Sequence, residues 1–179
     1  MTAIISNKGE LLKTVSSNDE TVKLNTPEGC LAVEDPPGPN MYYQDGWVVM
    51  PPQPTLYHIF NYDLKDWVDP RTVDEIKAQK WVEIKAMRDQ LEFGGFEFEG
   101  GIYDSDQVSQ GRIMGAAVAG VDQTWTLADN TTVELTALQL QQLYAALQAH
   151  IAVVHERGRI ARQLIFEAET KDQVEAIQL

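Results

Sequence analysis

The sequence is short of what most enzymes and nucleic-acid-binding proteins need. It has one cysteine, Cys30, which excludes an intrachain disulfide and a cysteine-based zinc site. It is also poor in basic residues: 14 Lys and Arg stand against 27 Asp and Glu, a formal charge of −13. A chain this acidic has no general affinity for phosphate backbones or anionic membranes, so no nucleic acid and no membrane is expected as a partner. Arg157, Arg159 and Arg162 are a local exception, read as a solvated helix face or intrahelical ion pairs. No apolar run approaches the roughly 18 residues of a membrane span. The N-terminus lacks the basic, apolar and small-residue order of a signal peptide, so the chain is expected to stay in the cytoplasm where it is made.

Catalytic patterns are missing too. There are three histidines, and His150 and His155 lie about 140° apart around a helix, too far to chelate one metal. His-Glu-x-x-His, a phosphate-binding Gly-Lys-Ser/Thr loop and Gly-x-Ser-x-Gly are all absent. Asp104 and Asp106 open like a calcium loop, but no glycine or terminal glutamate follows where one would require it. No catalytic, cofactor-binding or metal-ligating residue is assigned, no cofactor is expected, and the chain is expected not to be an enzyme. Trp47, Trp67, Trp81 and Trp125 could line a sugar site, but packing is the simpler reading.

What is present is a core: 44% of residues are apolar, which excludes wholesale disorder. Composition changes near residue 68, with seven of the eight prolines before it. In the first part, residues 3–6 and 10–15 flank Asn7-Lys8-Gly9 as a hairpin. Residues 30–33 read as a strand. Asp45-Gly46, between Met41-Tyr42-Tyr43 and Trp47-Val48-Val49-Met50, signals a second hairpin. Pro51 to Pro54 reads as an extended linker, and residues 57–62 as one more strand.

The second part is helical. Asp69 with Pro70 predicts a helix start, with a stripe Val73, Ile76, Trp81, Ile84, Met87 and Leu91 ending at Phe93-Gly94-Gly95-Phe96. A glycine-turn hairpin follows over Phe96 to Tyr103. Asp104 is the expected cap of a second helix rich in Gly and Ala, which predicts another element packed closely against its small face. A further hairpin pairs residues 125–127 with 132–135. Thr136 and Gln139 form a capping box for a third helix running to about Ala168, roughly 48 Å long. Thr170 with Gln173 starts a terminal turn. Leu140, Tyr144, Leu147, Ile151, Val154, Gly158, Ala161, Ile165 and Ala168 recur at heptad spacing along the third helix. That seam either packs on residues 73–91 of the same chain or joins copies of the chain.

The expected class is α+β: a small antiparallel β-rich N-terminal region, residues 1–67, followed by a three-helix C-terminal domain, residues 68–179, with two short β-hairpins.

Several stretches carry a resemblance. The series Lys80-Trp81, Ile84-Lys85, Arg88-Asp89 and Phe93-Gly94-Gly95-Phe96 continues through Tyr103-Asp104-Ser105-Asp106 and Ser109-Gln110, then Arg112-Ile113 and Gly115-Ala116. It runs on through Trp125, Asp129-Asn130, Val133, Leu135-Thr136 and the helix to His150. This series resembles a domain family of unknown function found in tail proteins of tailed bacteriophages, over about Val68 to Leu179. Pro27-Glu28-Gly29, Tyr42-Tyr43, Asp45-Gly46 and Pro51 to Pro54 are similar to a leader ahead of such domains, and residues 30–40 depart from it.

The resemblance implies a structural tail protein, in the baseplate or at the tail-fibre attachment, with residues 1–67 as the attachment region. It implies tail-fibre or baseplate proteins as partners, self-association, and residence in the virion tail after synthesis in the host cytoplasm. A fibre-assembly chaperone absent from the virion and a receptor-binding tail protein are the alternatives. The expected contact residues are Leu140, Tyr144, Leu147, Ile151 and Val154, with the aromatics Trp81, Trp125, Phe93 and Phe96.

Overall fold

A computed structural model describes all residues, 1–179. They form two compact units, Met1–Arg71 and Thr72–Leu179.

In the first unit β1 (Thr2–Ile5) is the central strand, antiparallel to both β2 (Leu11–Val15) and β3 (Leu31–Glu34). Ala3, Ile4 and Ile5 are buried there, as small and β-branched apolar residues with partner strands on both edges should be. Between β2 and β3 lies a short helix, α1 (Asp19–Asn25), that buries Val22. Asn18 caps it, accepting from the Thr21 N–H. Asp19 and Glu20 in the first turn and Lys23 in the last complement the helix dipole.

Two hairpins follow: β4 (Met41–Tyr43) with β5 (Trp47–Val49), and β6 (Ile59–Asn61) with β7 (Asp66–Val68). The chain turns after β6 because the Asn61 Oδ1 accepts from the N–H groups of Asp63 and Leu64. Phe60 joins the hairpins, with its ring 5.2 Å from Tyr42, 5.1 Å from Tyr62 and 5.4 Å from Trp67. The Tyr62 hydroxyl pKa is raised, first by burial and then by the negative charge of Glu10.

The second unit is built on α4 (Ala137–Glu167), with α2 (Val73–Phe93) and α3 (Gln107–Ala119) packed along it. Hairpins β8–β9 (Phe96–Phe98, Gly101–Tyr103) and β10–β11 (Gln123–Thr126, Thr132–Leu135) separate these helices in sequence, and α5 (Lys171–Glu175) returns against α2. The first half of α4 buries Leu140, Leu143 and Leu147 with Phe96, Tyr103, Ile113, Ala116 and Leu135. The second half buries Ala161 and Ile165 with Ile84 and Ile177. Beyond them, Ile76, Ala168 and Val174 close the far end.

The architecture overturns the expected β-rich region followed by a three-helix domain. There are five helices, and strands are interspersed with them along the chain. One helix sits inside the N-terminal unit, and α5 adds a fourth to the C-terminal one. Of residues 57–62, Ile59–Asn61 form the strand, β6, and pair with β7. Two helix starts also differ from expectation. Thr72, not Asp69, caps α2, because Thr72 and Glu75 form a reciprocal capping box while the Asp69 carboxylate is held by the Arg71 guanidinium. Asp106, not Asp104, caps α3, accepting from the N–H groups of Val108 and Ser109. The Ser109 hydroxyl donates to the same carboxylate and holds its pKa below the usual range. The boxes at Thr136–Gln139 and Thr170–Gln173 are formed.

One buried polar residue pins the junction of α2, β8–β9 and α3. Ser105 Oγ donates to the Glu92 carbonyl and accepts from the Gly95 N–H at 2.9 Å. Ser105→Ala removes both bonds and leaves a carbonyl and an amide without a partner. It should cost about 1–3 kcal/mol in a denaturant melt. A loss within the ordinary scatter of surface substitutions would contradict this network.

Candidate functional site

The heptad residues of α4 divide into two groups. Leu140, Leu147 and Val154 are buried within the chain, and Tyr144 and Ile151 are half-buried beside the same core. Leu143, absent from the expected seam, is fully buried. The seam therefore faces α2, α3 and the hairpins of its own chain. Gly158 gives α2 room, since a Cβ there would lie 3.3 Å from the Arg88 Cδ.

The aromatics scatter. Phe96 is buried in the first core cluster, and Trp125 packs against that cluster while half-exposed. Trp81 packs at the other end, beside Ile84, Ala161 and Ile165, with the Arg162 guanidinium 5.4 Å from its ring. Phe93, the last residue of α2, is exposed. The structure brings Phe96 and Trp125 to one end of the unit and places Trp81 at the other.

The two histidines of α4 meet the end of α2. His150 Nε2 lies 3.0 Å from the Leu91 carbonyl, and its ring stacks on Phe96 at 5.8 Å. His155 Nε2 lies 2.9 Å from a Glu92 carboxylate oxygen. Both flank the seam, so they reach the helix that covers it. Their heptad positions were the available signal. Tyr103, also in the core, has its hydroxyl pKa raised by burial and then by Glu99.

Once the seam is covered, a different apolar stripe remains on α4. Ala149, Val153, Ile160 and Leu164 are exposed, the last three at 57%, 52% and 47%. With Arg157 between them they step by four, four, three and four residues, a helical row on one face. The stripe runs roughly 120° around the helix from the seam, at about 100° per residue. Scattered exposed apolar residues are ordinary, but a periodic row is the pattern of a helix face that meets another helix. Its charge is unusual for this chain: α4 carries Arg157, Arg159 and Arg162 against Glu156 and Glu167, while the chain as a whole stands at −13. The helix that bears the stripe is therefore far less acidic than the chain as a whole.

The small residues of α3 divide: Ala116 and Ala117 are buried, Ala116 in the cluster it shares with α4, while its glycines face away. Gly111 and Gly115 are exposed, and a Cβ at either would meet nothing within 4 Å. No His/Cys/Asp/Glu group is arranged to hold a metal ion. No helix is long and apolar enough to cross a membrane.

Comparison with curated proteins and with solved structures finds no match. Residues 75–178 match a family described as a domain of unknown function, DUF4376. That segment starts in the first turn of α2 and ends beyond α5, so it takes in every element of the second unit. As it is more than half of the chain, the protein belongs to the DUF4376 family.

Proposed function

We propose that this chain is a structural component of a bacteriophage tail, a baseplate or tail-fibre attachment protein acting through protein–protein contacts and not by catalysis. The observation that carries the contact role is the exposed stripe Ala149, Val153, Ile160 and Leu164 on a helix otherwise packed into its own domain. The resemblance of residues 68–179 to tail-protein domains supplies the setting. In this reading the protein is made in the host cytoplasm and resides in the virion tail beside fibre or baseplate proteins.

The stripe takes a second copy of the chain. Its spacing suits helix-to-helix pairing, and its near-neutral charge permits two copies of a strongly acidic chain to approach there. Light scattering on the purified full-length protein should give a mass above the monomer. Val153→Glu with Ile160→Glu should return it to the monomer without loss of helical signal, since both side chains are already exposed. A wild-type protein that stays monomeric at high concentration sinks the self-association. Mass spectrometry of purified virions tests the setting: stoichiometric presence is expected, and absence would favour a fibre-assembly chaperone.

A further inference from the structure

We propose that the cleft between α3 and the β10–β11 hairpin binds a saccharide that carries a carboxylate. The cleft encloses about 520 Å³, within the about 300–1,000 Å³ of small-molecule sites. One wall is the face of α3 that presents Ser109, Arg112 and Gly115, and the other is β10 with Trp125. It shares no residue with the α4 stripe.

Three features select the ligand. Trp125 packs partly against the core and lines the cleft with its remaining surface. A flat indole face matches the C–H face of a pyranose ring. Next to it, the side chains of Gln123, Asn130 and Asp104 make no hydrogen bond within the protein. Amides both donate and accept, as sugar hydroxyls do, and a carboxylate accepts from them. The third feature is Arg112, the only cation lining the cleft, which makes no hydrogen bond and no close ion pair, though its charge also acts on the neighbouring Asp106. Its neighbour Asp106 is already held by the Ser109 hydroxyl at 2.6 Å and the Val108 N–H at 2.9 Å. A guanidinium fork whose N–H groups are not yet bonded fits a carboxylate with two parallel bonds.

Gly115 ties these together. It is a helical glycine on the cleft wall whose missing side chain faces open space.

The experiment is ligand-observed saturation-transfer NMR on the full-length protein, with methyl β-D-glucuronide, methyl β-D-glucoside and sodium acetate as probes. The glucuronide should bind in the millimolar range, about tenfold or more tighter than the glucoside, as expected for one charge-assisted pair. Acetate should compete poorly. Gly115→Leu fills the cleft from an exposed helix position where nothing crowds the new side chain, so it should fold and lose the transfer. Arg112→Gln should bring the glucuronide down to the glucoside. The proposal is overturned by no transfer to the glucuronide, by equal binding of the two sugars, by transfer undiminished in folded Gly115→Leu, or by acetate competing as well as the glucuronide.

Discussion

Leu147→Ala should destabilise the helical unit by about 2–5 kcal/mol, lowering its Tm by about 10 °C or more. Leu147 is fully buried in the cluster that joins α4 to Phe96, Tyr103, Ile113 and Leu135. Truncation loses the transfer energy of the removed carbons and leaves a cavity that three different elements would have to collapse together to fill. Ile151→Ala, at a half-buried position, should cost less. Val153→Ala, one residue away from Val154 but on the exposed stripe, should stay within about 0.5 kcal/mol. A thermal melt followed by far-UV circular dichroism ranks the three. Below its melting temperature Leu147→Ala should keep the oligomeric mass of the wild type, because the seam faces the chain's own helices. Loss of mass in Leu147→Ala with mass retained in the Val153/Ile160 glutamate pair would reverse the assignment of the two stripes.

How much of this was legible depends on whether the signal is local. The capping boxes at Thr136–Gln139 and Thr170–Gln173 are complete within four residues and could be read directly. At α2 the local rule misleads, since Asp69-Pro70 imitates a helix start until the Arg71 guanidinium is seen to occupy the carboxylate. The short α1 had its cap, Asn18, and its charge pattern in view, but seven residues carry too little periodicity to stand out. On α4 the heptad was legible and its partners were not. The front half meets α3 and two hairpins and the rear half meets α2 and the residues after α5, so Leu143 joins the buried set while Tyr144 moves to its edge. The exposed stripe is also helically periodic, though interrupted by Arg157, and the burial pattern is what separates it from the seam. The cleft was least legible of all. Arg112, Gly115 and Trp125 come together through the docking of a hairpin on a helix, which leaves no spacing rule in the chain.

Gly9→Ala should be the most damaging single substitution in the first unit, costing about 3 kcal/mol or more through combined backbone strain and steric clash. Gly9 ends the β1–β2 turn at φ +83°, a region that an L side chain enters at a cost. Its N–H donates to the Ser6 carbonyl at 3.0 Å, and its own carbonyl accepts from the Tyr43 N–H at 2.9 Å. That second bond, with the Lys65 ammonium on the Lys8 carbonyl, holds the three-stranded sheet to the β4–β5 and β6–β7 hairpins. A Cβ on Gly9 would stand 2.0 Å from the Tyr43 carbonyl oxygen, a backbone atom that no rotamer change can move aside. The hairpin must therefore retreat, and the Tyr43 bond goes with it. Gly29 is the control: its φ is +80°, and a Cβ there meets nothing within 4 Å. Gly29→Ala should show only the left-handed strain, about 1–2 kcal/mol. Hydrogen exchange at the Tyr43 amide should rise sharply in Gly9→Ala and stay near wild type in Gly29→Ala. Equal destabilisation by the two substitutions would mean that β4 does not approach the turn as closely as the geometry requires.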